Sequence, residues 1–80
     1  MGLEHIETET IDKYEFTHKD YLAKIKINRS ILQSYYDVFT PDGKQIVFNR
    51  SEHFMDMDRI CEEIKITIQD YIQYPEEYEQ

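Results

Sequence analysis

Between Tyr21 and Ile27 apolar and charged residues alternate: Tyr21, Ala23, Ile25 and Ile27 share one parity, and Lys24 and Lys26 the other. Side chains of an extended chain point to opposite faces with a period of two, so this stretch predicts a half-buried strand with its lysines in water. A second alternating region, residues 35–48, is split by Thr40-Pro41-Asp42-Gly43. Pro41 presets φ for the first turn position, Asp42 suits the next, and Gly43 accepts the positive φ that closes a three-residue hairpin with a bulge. With Thr40 opposite Lys44, Val38 faces Ile46 and Tyr36 faces Phe48, which predicts Tyr36, Val38, Ile46 and Phe48 on the core side. The other side then carries Tyr35, Asp37, Phe39, Gln45 and Val47, and is less polar than a solvent face requires.

Residues 29–33 predict a loop between these regions, with Ile31 and Leu32 tucked under the sheet. Upstream, residues 8–16 hold enough Thr, Tyr and Phe for a strand that turns at residues 17–20. A short helix over residues 3–14, with Leu3, Ile6, Thr10 and Ile11 on one side, is the competing reading.

From Phe54 the period changes. Phe54, Met57, Cys61, Ile64, Ile68 and Tyr71 recur at steps of three and four, flanked by Ile60 and Ile72, which predicts one amphipathic helix over residues 54–73. Ser51 with Glu52, or Asp56, offers the N-terminal cap, and Pro75 stops the helix. At about 1.5 Å per residue such a helix is long enough to cross a small sheet. Its outer half holds Met55, Asp58, Arg59, Glu62, Glu63, Lys65, Ile66, Gln69 and Asp70. The expected architecture is α+β: a three- or four-stranded antiparallel sheet with one long C-terminal helix packed on one face. Residues 1–80 are expected to form one domain, with 1–8 and 75–80 flexible.

Charge sharpens this picture. The 80 residues carry 17 acids against 9 Lys and Arg, a net −8, yet 14% of them are aromatic, which is too many for a disordered acidic tail. Residues 1–16 sum to −4, 17–50 to +3 and 51–80 to −7, so a mildly basic middle lies between acidic ends. This balance disfavours free nucleic acid and anionic membranes as partners. No stretch approaches the roughly 18 apolar residues of a membrane helix, the start has neither a basic nor an apolar leader region, and the single Cys61 forms no internal disulfide framework. These features lead to the expectation of a cytoplasmic protein.

Groups for catalysis do not converge in the sequence. The two glycines, Gly2 and Gly43, make no phosphate loop, and His5, His18 and His53 are too far apart to assemble a zinc set with one Cys. Asp56 and Asp58 are not followed by further ligands at calcium-loop spacing. Cys61 falls on the buried stripe, as a small core residue does, and Glu62 and Glu63 point in different directions on a convex surface. A non-enzyme without metal or cofactor is expected.

The favoured expectation is a protein-interaction module that docks on a basic surface of a partner protein through Asp58, Glu62, Glu63, Ile66, Asp70, Glu76, Glu77 and Glu79. Where that surface normally grips nucleic acid, carboxylates stand where phosphates would, and the module inhibits by occupancy. In size, charge and order of elements this layout is similar to phage-encoded inhibitors that imitate DNA, including those blocking uracil-DNA glycosylase; the similarity is one of layout, not of motifs. Two alternatives remain. One is a homodimer or accessory subunit using Tyr35, Phe39 and Val47; the other is a weak nucleic-acid contact through Lys24, Lys26, Lys44 and Arg50.

Overall fold

The computed structural model describes residues 3–8, as backbone, and 11–78. Five strands, β1 (Leu3–Thr8), β2 (Ile11–His18), β3 (Tyr21–Asn28), β4 (Gln33–Phe39) and β5 (Gln45–Glu52), form one antiparallel sheet in chain order. Helix α1 (Met57–Gln73) comes next, and then a 3-10 turn at Pro75–Tyr78. Strands β2 to β5 with α1 are the α+β layout expected from the alternation and the change of period, and β1 adds a fifth strand beside β2. Residues 11–16 are strand, not helix. Within the segments expected to be flexible, Leu3–Thr8 and Pro75–Tyr78 take regular structure, while Met1, Gly2, Glu79 and Gln80 lie outside the described residues.

Local chemistry explains the tight connections. Lys19 and Asp20 both have positive φ, 52° and 67°, the backbone of a two-residue turn whose twist matches the strands it joins. At the next hairpin but one, Thr40 N–H donates to the Lys44 carbonyl at 2.8 Å and Gly43 N–H to the Thr40 carbonyl at 2.9 Å, so Thr40 does face Lys44. Gly43 sits at φ 93°, where a side chain would be strained.

Beyond that turn the register departs from expectation. Phe39 pairs with Gln45, but Val38 pairs with Val47 and Tyr36 with Arg50, so β5 gains residues relative to β4 at two places. Such bulges set two residues against one and re-aim the side chains beyond them. Ile46 and Val47 are consequently both buried, Val47 at 7% exposure, whereas Phe48 is 64% exposed. This corrects two expectations at once: Phe48 is not a core residue, and Val47 is not on an outer face. The device is visible in the hydrogen bonds. Asn49, at φ 49°, donates its N–H to Asp37 Oδ1 at 2.5 Å, and Gln45 Nε2 donates to the same oxygen at 2.9 Å.

The core lies between the sheet and α1. Phe16, Ala23, Ile25, Ile27, Tyr36, Val38, Ile46 and Val47 meet Ile60, Ile64 and Ile68. The buried stripe of α1 is rotated from the expected one: Thr67 is buried beside Ile60, Ile64 and Ile68, while Cys61 is half-buried and Ile72 exposed. Thr67 can sit there because its hydroxyl donates to the Glu63 carbonyl at 2.9 Å, one turn back. The helix starts later than expected, at Met57, because the Asp56 side chain accepts the Asp58 N–H at 3.1 Å and caps it. Phe54 stays outside the helix yet packs on the core, tied down by Ser34, whose buried hydroxyl donates to the Phe54 carbonyl at 2.7 Å.

Two further departures concern polar and apolar residues in unexpected places. Asp12 is buried on β2, and Arg29 Nε donates to its Oδ2 at 2.5 Å. Ile31 and Leu32 are 54% and 62% exposed at the tip of the β3–β4 turn, not tucked under the sheet. The turn reverses too tightly for these side chains to reach back to the core.

Candidate functional site

Successive helix residues turn by about 100°, which places Asp58, Glu62, Ile66, Gln69 and Gln73 in a line down the side of α1 away from the sheet. All five are exposed, Ile66 at 58%. Glu63 and Asp70 lie on one flank of that line and are half-buried; Arg59 lies between the two lines. The carboxylates therefore form two rows and not one string.

The two bases of the helix are drawn toward aromatic rings below it. The Arg59 guanidinium sits 4.3 Å from the centre of the Phe54 ring, and Lys65 Nζ lies 6.0 Å from that of Phe16. Lys65 also comes within 3.8 Å of Glu62 Oε2, an exposed pair of the kind that contributes little and screens readily. Arg59 stays exposed and Lys65 half-buried, each with its charge over a ring, while Asp58 and Glu62 stand in solvent.

The C-terminal end of α1 concentrates negative charge further. Its last turn carries no base, and Pro75–Tyr78 folds back beside it with Glu76 and Glu77 exposed. The aligned peptide dipoles put partial negative charge at this end, so acids here are unfavourable and a cation would be favoured by about 0.3–1 kcal/mol. The fold-back is held by Tyr78, whose hydroxyl donates to Asp70 Oδ2 at 2.8 Å and whose ring stands edge-on to Tyr71 at 5.5 Å. Burial, reinforced by the hydrogen bond and charge of Asp70, pushes the Tyr78 phenol up to about 12. Exposed Ile72 and Tyr74 lie at the same end of the helix. Glu79, also expected in this surface, lies outside the described residues.

The sheet face away from α1 is a different surface. A groove of about 290 Å³ is lined there by Lys13, Glu15, Lys24, Lys26 and Asp37. Lys24 stands in register between Glu15 and Asp37, and Lys13 directly opposite Lys26. The four residues expected to make a nucleic-acid contact are not brought together. Lys24 and Lys26 are on this face, Lys44 is at the β4–β5 turn, and Arg50 opposes core-facing Tyr36 with its Nε 3.5 Å from Glu52. The expected dimer face is broken as well, since Tyr35 and Phe39 are half-buried on the uncovered side while Val47 is in the core.

Burial pushes the Cys61 thiol up, with Asp58 and Glu62 adding to the effect against the pull of Lys65; a thiol kept protonated is a poor nucleophile. Among the described residues no three His, Cys, Asp or Glu side chains gather as a metal site, and no helix is long and apolar enough to cross a membrane. No family model, curated protein or solved structure matches the chain.

What the sequence missed is the asymmetry of the helix charges. Periodicity puts Arg59 and Lys65 on the outer half with the acids; their recruitment by Phe54 and Phe16 depends on where the sheet lies beneath. Aromatics three to five residues from a helix base are the one signal that Phe54 gave, whereas Phe16 is remote in sequence.

Proposed function

We propose that this chain is a non-enzymatic interaction module whose α1 outer side and C-terminal end dock on a basic surface of another protein. One observation carries the reading: Asp58, Glu62, Glu63, Asp70, Glu76 and Glu77 outnumber the bases of the helix, whose last turn holds none, while Arg59 lies over the Phe54 ring and Lys65 makes one exposed pair, with Glu62. A cationic partner relieves that imbalance, and Ile66, exposed among the carboxylates, supplies an apolar anchor at its centre. Electrostatic steering then speeds association and makes it salt-sensitive.

Where the partner surface normally holds nucleic acid, the module inhibits by occupancy. Two rows of carboxylates with Arg59 between them favour charge complementarity over a copy of phosphate spacing, so the proposal rests on the former. The single thiol suits a reducing compartment such as the cytoplasm.

The test reverses charge without touching the core. Glu62→Lys with Glu63→Lys is expected to keep the far-UV circular dichroism and to lose the partner captured by the wild type from a native lysate, and about 0.5 M salt should release the wild-type complex by screening. Equal capture by both proteins, or capture indifferent to salt, overturns the reading.

A further inference from the structure

On the sheet face away from α1, two lysines meet with no acid beside them in register. Lys13 on β2 stands directly opposite Lys26 on β3, and the row continues through Tyr35 to Ser51 on one side and to Ile6 on the other, crossing all five strands. Directly opposed side chains have Cβ atoms about 4.5–5.5 Å apart, and like charges placed so destabilise a sheet. Both lysines line the groove of about 290 Å³. The ion pairs among the described residues join Arg29 to Asp12, Arg50 to Glu52 and Lys65 to Glu62, and none takes in Lys13 or Lys26.

Two ordinary uses of a surface lysine do not account for the pair. Lysines blunt exposed sheet edges, but β3 is the central strand and β2 lies between β1 and β3. They also keep a protein soluble, yet a net charge of −8 is already far from neutrality. The neighbouring row, Glu4, Glu15, Lys24 and Asp37 in register, does not answer them either. Asp37 Oδ1 is committed to the Asn49 N–H at 2.5 Å and to Gln45 Nε2 at 2.9 Å, and Lys24 Nζ lies 5.5 Å from the centre of the Phe39 ring. The groove thus has a cationic end, at Lys13 and Lys26, and an acceptor-lined end, at Glu15 and Asp37.

A dianion set between two ammonium groups replaces their mutual repulsion with attraction. Lysine binds phosphate as a point charge on a flexible four-carbon stem, and a phosphate monoester carries about −1.5 to −2 near pH 7 where a carboxylate carries one charge. The acids of the next row keep a second anionic group away and accept hydroxyl hydrogens instead. The groove's volume is at the lower end of the roughly 300–1,000 Å³ that small ligands occupy. From these placements we infer that the groove binds the phosphate monoester of a small polyol, of the sugar-phosphate type, with its phosphate between Lys13 and Lys26 and its hydroxyls toward Glu15. A nucleic-acid strand matches this pattern poorly, because its successive phosphates run past the two lysines within the field of a strongly acidic chain. The site lies across the sheet from α1 and stands apart from the acidic docking surface.

Amide chemical shifts of the nitrogen-15-labelled full chain, followed at an ionic strength held near about 0.1 M, test it. Ribose 5-phosphate is expected to shift the amides of Lys13, Glu15, Lys24 and Lys26 along a saturating curve with a Kd of about 1 mM or below, and ribose to shift none of them. Lys13→Gln and Lys26→Gln should each weaken ribose 5-phosphate at least fivefold. Lys13→Gln should also unfold no earlier than the wild type, since it removes a repulsion. Glu15→Gln should lower the preference for ribose 5-phosphate over inorganic phosphate at least twofold, because it takes away a hydroxyl acceptor and a charge that repels both. Shifts that stay linear to about 20 mM, ribose acting as well as its phosphate, lysine variants that bind like the wild type, or a short single-stranded DNA that binds the same amides more tightly than ribose 5-phosphate overturns the inference. Glu62→Lys with Glu63→Lys should leave the Kd for ribose 5-phosphate within twofold, so the two proposals fail or hold separately.

Discussion

Truncating Val47 and Phe48 separately reads the register of β5 directly. In the observed bulged pairing Val47 opposes Val38 in the core at 7% exposure and Phe48 is 64% exposed. Val47→Ala removes two buried carbons, about 1.6 kcal/mol of transfer free energy, and the cavity left in a packed interior brings the cost to about 2–2.5 kcal/mol. Truncating a fully buried Phe costs about 3–5 kcal/mol, but Phe48 leaves only about a third of its surface out of water, so Phe48→Ala should cost about 1 kcal/mol. An unbulged hairpin reverses the order, because Phe48 would then oppose Tyr36 in the core and Val47 would face out. Urea unfolding followed by circular dichroism, with equal slopes for all three proteins, measures both changes. A Phe48→Ala cost exceeding that of Val47→Ala refutes the bulged register.

Four other outcomes rest on single contacts. Asn49→Val forces a β-branched residue into φ 49° and should cost about 1–2 kcal/mol in the same unfolding assay, whereas Asn49→Gly should stay within about 0.5 kcal/mol of wild type. Arg29→Met leaves the Asp12 carboxylate buried without its guanidinium and should lower the melting temperature, by less than the loss of a fully buried pair would because Arg29 is largely in water; an unchanged melting temperature would show that solvent already does the work of the pair. Ile64→Ala, at the centre of the helix stripe, should cost about 2–5 kcal/mol, a large fraction of the stability of so small a domain. The Tyr78 phenol lies above its ordinary value, so its contribution is fully present below about pH 10 and is lost as pH rises through about 12; in an alkaline absorbance titration Tyr78→Phe should delete a component ionising near pH 12, and a loss confined to ordinary tyrosine pH contradicts the Asp70 hydrogen bond.

Much of the fold is legible in the chain because it is written in short-range periods. The alternation around Ala23, Ile25 and Ile27 and the steps of three and four from Ile60 to Ile68 state which residues are extended and which helical, and Ala23, Ile25, Ile27, Ile60, Ile64 and Ile68 are buried as expected. Pro41-Asp42-Gly43 states the turn. The acids of the last third are legible too, since composition alone sets their number.

Register and the fate of individual side chains belong to the tertiary structure. Two bulges in β5 exchange Val47 and Phe48, and they depend on Asp37 reaching across to the Asn49 and Gln45 N–H groups, a contact between strands that no period encodes. Asp12 is buried because Arg29 returns to it from 17 residues away. The acidic character of α1 was countable in advance, but the folding of Arg59 and Lys65 onto Phe54 and Phe16 was not, because ring and cation meet only once the helix lies across the sheet. Local sequence determines what each segment prefers to be; which face it turns, and which charges it leaves uncovered, is decided by contacts whose members are distant in the chain and close in space.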